Sequence, residues 1–283
     1  MTARRDTLSS LAWRVGLALG GTGLLLLLGL PLAALALRVR PTELITRLAD
    51  PFVLDALRLS LLTSLGATVL VTLVGLPVAY LLATRAFPGK RWLEVLVDLP
   101  MVLPPTVSGL ALLLALGRSG WAGRSLDAFG ISLPFTTAAV VLAQAFMAAP
   151  FFVATVRAGF SSIDPRLIEA AVALRASEAY LFRRVVLPLA LPSLLAGVVL
   201  AWARALGEFG ATITFAGNLP GVTQTMPLAV YIAMQSDLEA AIVLSVLLLL
   251  GSGALLYALR SALPLFQPGA GAGWFFGPSR RRS

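Results

Sequence analysis

The chain has 283 residues, of which 58% are hydrophobic and only 12% charged, and a water-soluble globule of that size needs far more polar surface. It therefore reads as an integral membrane protein, and its net charge of +9 is explained by topology and anionic inner-leaflet lipid, not nucleic acid. With no cysteine and no histidine, disulfide scaffolds, thiolate or imidazole metal sites and histidine-based catalytic triads are excluded.

About 20 apolar residues cross a hydrocarbon core, and six runs reach that length, near 13–37, 60–83, 96–117, 134–157, 188–215 and 239–261. The first follows Arg4 and Arg5 and ends at Ala34-Leu35-Ala36, which resembles a signal-peptidase site. Its apolar core exceeds the 7–15 residues of a typical signal, so a retained span is expected. Residues 50–59 are expected at the outer surface before the second span. Beyond that span, Pro88-Gly89-Lys90-Arg91 lacks both the earlier glycine and the hydroxyl of a phosphate loop. Any ATP driving this protein is hydrolysed on another chain.

The third run opens with Leu99-Pro100 and Leu103-Pro104, followed by Gly109, and the set recurs 88 residues later as Leu187-Pro188, Leu191-Pro192 and Gly197. Prolines free backbone carbonyls and can act as hinges at membrane depth. Spans three and five then form a pair lining a pathway; chance recurrence among 18 prolines is the competing account.

Between 161 and 192 the apolar chain is interrupted by charge. Asp164 can N-cap a helix with Pro165 in its first turn, and Leu167, Ala171 and Leu174 share one face, with Ile168 and Val172 beside them and Glu169 and Arg166 elsewhere. Ser177 can cap a second helix. The plain alternative is an amphipathic helix on the membrane surface.

In the fifth run Arg204 and Glu208 stand one helical turn apart and can meet on one face. A charge near the midplane costs roughly 2.5–3.5 kcal/mol on insertion scales, so neither faces lipid alone. They form a structural salt bridge, within or across subunits, or touch a passing anion. Gly207, Gly210 and Ala211 permit close helix approach. The segment from Gly217 to Ser236, an expected outer loop, has no acidic residue and offers Asn218, Thr223, Gln224, Thr225 and Gln235. Thr106, Ser108, Thr212 and Thr214 lie near the expected pathway, although span hydroxyls commonly bond their own backbone.

A cytoplasmic N-terminus places fifteen of the 22 Lys and Arg residues inside and six outside, with Arg204 in the fifth span. This satisfies the positive-inside rule and puts residues 158–187 in the cytoplasm. Both termini are then cytoplasmic, and residues 263–283, with Arg280, Arg281 and Arg282, form a flexible basic tail attracted to lipid.

Glu169-Ala170-Ala171 is followed, at the required distance, by Val185-Val186-Leu187-Pro188. This resembles the cytoplasmic signature of ABC importer permeases: Glu-Ala-Ala, three residues, Gly, nine residues, Ile-x-Leu-Pro. The usual Gly falls on Arg175, so the turn there forms without a residue that takes positive φ freely. Ala203 to Tyr231 and Leu103-Pro-Pro-Thr-Val-Ser-Gly109 are similar to molybdate, tungstate and sulfate importer permeases, nearest the molybdate type. The match extends over most of 56–260.

The resemblance implies an all-α polytopic protein of about six spans: an N-terminal segment and first span (1–45), a permease core (46–262) with a coupling loop (158–187), and the tail. It implies that Glu169, Ala170, Ala171, Arg175, Leu187 and Pro188 engage ATP-binding-cassette ATPase subunits, which hold ATP and Mg, this chain binding no cofactor itself. It also implies a second permease copy as a homodimer, and an extracytoplasmic protein that delivers a tetrahedral oxyanion. Pro104, Thr106, Ser108, Arg204, Glu208, Thr212 and Thr214 are the candidate pathway or interface residues. Sulfate or thiosulfate import is the nearest alternative. A self-powered secondary transporter would show ionisable relays across several spans and often inverted repeats, and a membrane scaffold would need no coupling loop.

Overall fold

The computed structural model describes residues 2–262, so the basic tail expected at 263–283 lies outside the described residues. In chain order its helices are α1 (Thr2–Ala36), α2 (Pro41–Leu48), α3 (Pro51–Thr84), α4 (Lys90–Val102), α5 (Pro105–Leu116), α6 (Gly123–Ala128), α7 (Thr137–Ser161), α8 (Pro165–Ala173), α9 (Glu178–Leu181), α10 (Leu187–Leu206), α11 (Gly210–Ala216), α12 (Met226–Ser236) and α13 (Leu238–Ala262), with a π turn at Phe182–Val186 between α9 and α10. The expected all-helical class holds.

Among the described residues, five helical stretches are long and apolar enough to cross a bilayer: Trp13–Ala36, Pro51–Thr84, Thr137–Ser161, Glu178–Leu206 and Leu238–Ala258. The third expected crossing is two helices, α4 and the shorter α5. Its break has a local cause. A residue before proline is pushed out of the α region, and here Leu103 precedes Pro104 while Pro104 precedes Pro105; their ψ angles are both 136°. Pro192, the echo of Pro104, lies inside α10 without a break, and Ser193 rather than a second proline follows it. The chain thus passes Pro104 and Pro192 in different ways, so the repeated Leu-Pro pattern does not mark equivalent kinks in spans three and five.

The fifth crossing also differs from one continuous helix, since α10 stops at Leu206 and α11 starts at Gly210. Residues 50–59, expected at the outer surface before the second span, form the start of α3, whose first turn is capped by Asp50 accepting from Phe52 N at 3.0 Å. At 1.5 Å per residue the 34 residues of α3 reach about 50 Å, well beyond a hydrocarbon core of about 30 Å. The segment expected as an outer loop becomes helical at Met226.

The body is built on α3, α7 and α10, whose shared core includes Val71, Ala79, Phe152, Val156, Ala201 and Ala205. A second cluster joins α3, α12 and α13 through Val53, Ala56, Met226, Ala229 and Leu244. A third joins α7 and α11 through Ala143, Met147, Ala211 and Phe215, with Leu112 and Leu116 of α5 against it. Apolar association gains little in lipid, so close packing and interhelical hydrogen bonds carry more of the specificity. Two such bonds fix α3: Trp202 Nε1–H donates to Ser64 Oγ at 3.1 Å, and Met226 N–H to Ser60 Oγ at 2.7 Å. The span of α1 stays unburied by the rest of the chain.

Candidate functional site

The connection from α7 to α10 is a compact pair of turns with its own caps. Asp164 accepts from Arg166 N at 2.9 Å and Ser177 from Tyr180 N at 3.3 Å, as their positions before α8 and α9 suggested. Between the helices Arg175 adopts φ 57°, so the position where the resemblance calls for glycine does take the left-handed conformation. Backbone bonds from Arg175 N to Val172 O and Ala176 N to Ala171 O close the turn. The π turn that follows has a local trigger: Pro188 brings no N–H and its ring would crowd the carbonyl of Arg184, and a wider turn relieves both.

The buried face of α8 differs from the sequence expectation. Ile168 and Ala171 pack into the central core together with Leu181, Phe182 and Val186, whereas Leu167, Val172, Leu174 and Tyr180 are exposed, Leu174 at 84%. Glu169 and Ala170 are also exposed, facing away from the core. The segment is held firmly from beneath. Phe182 stacks edgewise on Tyr80 at 4.9 Å, and Tyr80 on Phe160 at 5.4 Å, linking the π turn to α3 and α7. Arg85, at the end of α3, pairs with Glu178 at 2.9 Å, and Arg157 of α7 with Glu94 of α4 at 3.2 Å.

The second feature lies where the interrupted helices meet. A Cβ on Gly109 would stand 2.6 Å from Ala211 O, and one on Gly210 2.8 Å from Pro105 Cβ. Only glycine lets α5 and α11 approach so closely. These contacts set Thr106 beside Gly210, and Gly109, next to Ser108, beside Ala211 and Thr214, while Pro104 is the exposed residue just before α5. Glu208, 1% exposed, pairs with Arg204 at 2.6 Å and also accepts from Ala211 N at 2.8 Å. The Arg204 guanidinium lies 6.0 Å from the centre of the Phe151 ring. Of the candidate hydroxyls, Thr214 bonds back to Gly210 O at 2.9 Å and Thr106 is exposed.

Ser108 and Thr212 are fully buried and their hydroxyls have no partner; the same is true of both amide ends of Gln144 on α7. An unpaired buried polar group costs about 1–3 kcal/mol. Gln144 was not singled out from the sequence, although one amide within TAAVVLAQAFMAAPFF is a visible signal. In the 217–225 loop, Thr223 caps Leu219 N at 2.8 Å, and Thr223, Gln224 and Thr225 are buried, so they are not an open polar rim. No cluster of metal-ligating side chains occurs among the described residues.

Membrane-length helices, two interrupted crossings that meet backbone to backbone, and a capped two-helix segment with exposed apolar residues define a polytopic membrane transport protein. The chain belongs to the family of binding-protein-dependent transport system inner membrane components, whose sequence profile matches residues 72–264. It is 42% identical over 236 residues to the molybdenum transport system permease protein ModB of Mycobacterium tuberculosis, covering 83% of this chain and 89% of that one. It is 36% identical over 248 residues to the sulfate transport system permease protein CysT of Salmonella typhimurium, covering 85% and 90%. In fold it resembles a chain of a bacterial ABC transporter involved in the import of the acidic polysaccharide alginate, at TM-score 0.74 and 14% identity over 95% of this chain and 100% of that one.

Proposed function

We propose that this chain is the membrane-spanning permease subunit of an ATP-driven importer that carries molybdate, with tungstate as a chemically equivalent cargo. The likeness to a molybdenum permease over most of both chains, at 42% identity against 36% for the sulfate permease, carries the reading. In this account a second copy completes a homodimer, two ATPase subunits hold ATP and Mg, and an external binding protein delivers the anion.

Support for the ATPase interface comes from the α8–α9 segment. Glu169, Ala170, Ala171 and Arg175 lie on a short capped helix and its turn, and Leu187 and Pro188 follow the π turn that returns the chain to the membrane. Exposed Leu167, Val172, Leu174 and Tyr180 are an apolar surface suited to a protein groove. Phe182, Tyr80 and Phe160 tie that surface to α3 and α7, so a force applied at α8 reaches the bundle through packed rings rather than a loose loop. Closure of the ATPases would then bias the bundle between two states. Both termini face the cytoplasm in this arrangement.

Uptake of labelled molybdate into proteoliposomes holding this subunit, its ATPase and the binding protein tests the assignment. ATP-dependent uptake that tungstate blocks and excess sulfate does not is the expected result. Comparable sulfate uptake moves the protein to the sulfate branch, and uptake of neither by the assembled complex removes the oxyanion reading.

A further inference from the structure

Three polar side chains on three helices that pack together are left without partners. Ser108 (α5), Gln144 (α7) and Thr212 (α11) are each buried and each lack a hydrogen-bond partner. Each stands one position from a residue that joins the helices. Gly109 meets Ala211, and Ala211 shares a core cluster with Ala143. Membrane interiors offer few substitutes for a lost partner, so an arrangement that leaves all three unpaired stores unfavourable free energy in this packing.

The way these helices are joined says when that energy can be released. The contact between α5 and α11 is made at glycines, backbone against backbone, while both meet α7 through Leu, Ala, Val, Met and Phe side chains. Both α5 and α11 also begin at breaks, after Leu103-Pro104 and after Gly207 to Phe209. They can therefore shift together against α7, and such a shift would uncover Ser108 and Thr212 on one wall and Gln144 on the other.

We propose that Ser108, Gln144 and Thr212 form an oxyanion site that opens when α5 and α11 move away from α7; this rests on the oxyanion permease reading. The chemistry suits a tetrahedral dianion. Two hydroxyls and a primary amide supply four N–H or O–H donors and no formal charge, so they can hold an anion without trapping it. No acidic residue lies in α5, α7 or α11. The neighbouring Glu208 carboxylate is already engaged by Arg204 and Ala211 N. Closing the empty site leaves these groups unpaired, so the strain favours opening toward cargo, and the lack of formal charge keeps the hold on it weak.

The test uses the full complex in proteoliposomes with labelled molybdate, comparing wild type with Gln144→Leu, Ser108→Ala and Thr212→Val. Removing a stranded polar group should leave the melting temperature equal or higher. Uptake should fall at least tenfold while stimulated ATP hydrolysis stays within twofold, and Gln144→Glu, which adds a repelling carboxylate, should lose uptake at least a hundredfold. A lower melting temperature in all three apolar variants would show that the side chains pair with one another, and overturn the site. Uptake within twofold of wild type in all three would overturn it too. Failure of the wild type to import molybdate or sulfate is a different result, and removes the oxyanion reading itself.

Discussion

Glu208 is shared between Arg204 and the start of α11: one carboxylate oxygen lies 2.6 Å from the Arg204 guanidinium and the other accepts from Ala211 N at 2.8 Å. A single buried side chain thus neutralises a cation and starts the second half of an interrupted helix. Glu208→Ala should destabilise the protein by about 3 kcal/mol, the lower end for breaking a buried pair, because Arg204 keeps some exposure. The double variant Arg204→Ala/Glu208→Ala should recover part of that loss, since no unpaired charge remains. Thermal unfolding in detergent measures both, and a double variant less stable than Glu208→Ala would argue against pairing as the main role.

Arg175 occupies the left-handed region at φ 57°, which costs a non-glycine residue about 1–2 kcal/mol. Arg175→Gly should therefore tighten the α8–α9 turn and raise the melting temperature, or slow amide exchange of residues 174–177. Arg175→Val should do the opposite, because a β-branched residue tolerates this conformation worst.

How much of this was legible beforehand differs by element. The class followed from composition, and the i, i+4 spacing of Arg204 and Glu208 pointed directly to the pair that forms. Asp164 and Ser177 cap as their positions suggested. The break at Pro104 was open to the same kind of reading, since paired prolines disfavour helix at two successive residues, yet the run looked continuous by hydropathy alone. The break after Leu206 was harder. Residues 201–216 are mostly apolar and read as one run despite Gly207 and Gly210, and only the local bond from Ala211 N to the Glu208 carboxylate shows where α11 starts afresh. The inward stripe of α8 could not be fixed either: Leu167 and Ile168 are equally apolar, and the packing against the central core chose Ile168. Gln144 was visible as a residue type, but its want of a partner depends on what α5 and α11 place around it.

Close approach of α5 and α11 leads to another expectation. A methyl group at position 109 would lie 2.6 Å from Ala211 O and 2.8 Å from Thr214 Cβ, neither of which is the tip of a flexible side chain. Gly109→Ala should cost about 1–3 kcal/mol, as overpacking does, and should be seen as a lower melting temperature. Gly89→Ala is the control: its φ of 87° is strained for alanine, but open space surrounds it, so its loss should be smaller and local to the α3–α4 turn. Equal losses would show that α5 and α11 can separate freely.

The proposed ATPase interface can be separated from folding because Glu169 is exposed while its neighbours Ile168 and Ala171 hold α8 to the core. Reversing its charge by Glu169→Lys leaves those packed residues and the Asp164 cap in place, so membrane insertion and melting temperature should match the wild type. ATP hydrolysis stimulated by the loaded binding protein, and uptake with it, should be lost, since a groove suited to the carboxylate would meet an ammonium group instead. Leu174→Ser, at the most exposed apolar position of the segment, should weaken co-purification with the ATPase and reduce uptake severalfold. Ile168→Ser should instead lower the melting temperature, because it strikes the buried side of the same helix. If Glu169→Lys transports at the wild-type rate while Ile168→Ser unfolds, α8 is a structural strut, and the force from ATP closure enters elsewhere.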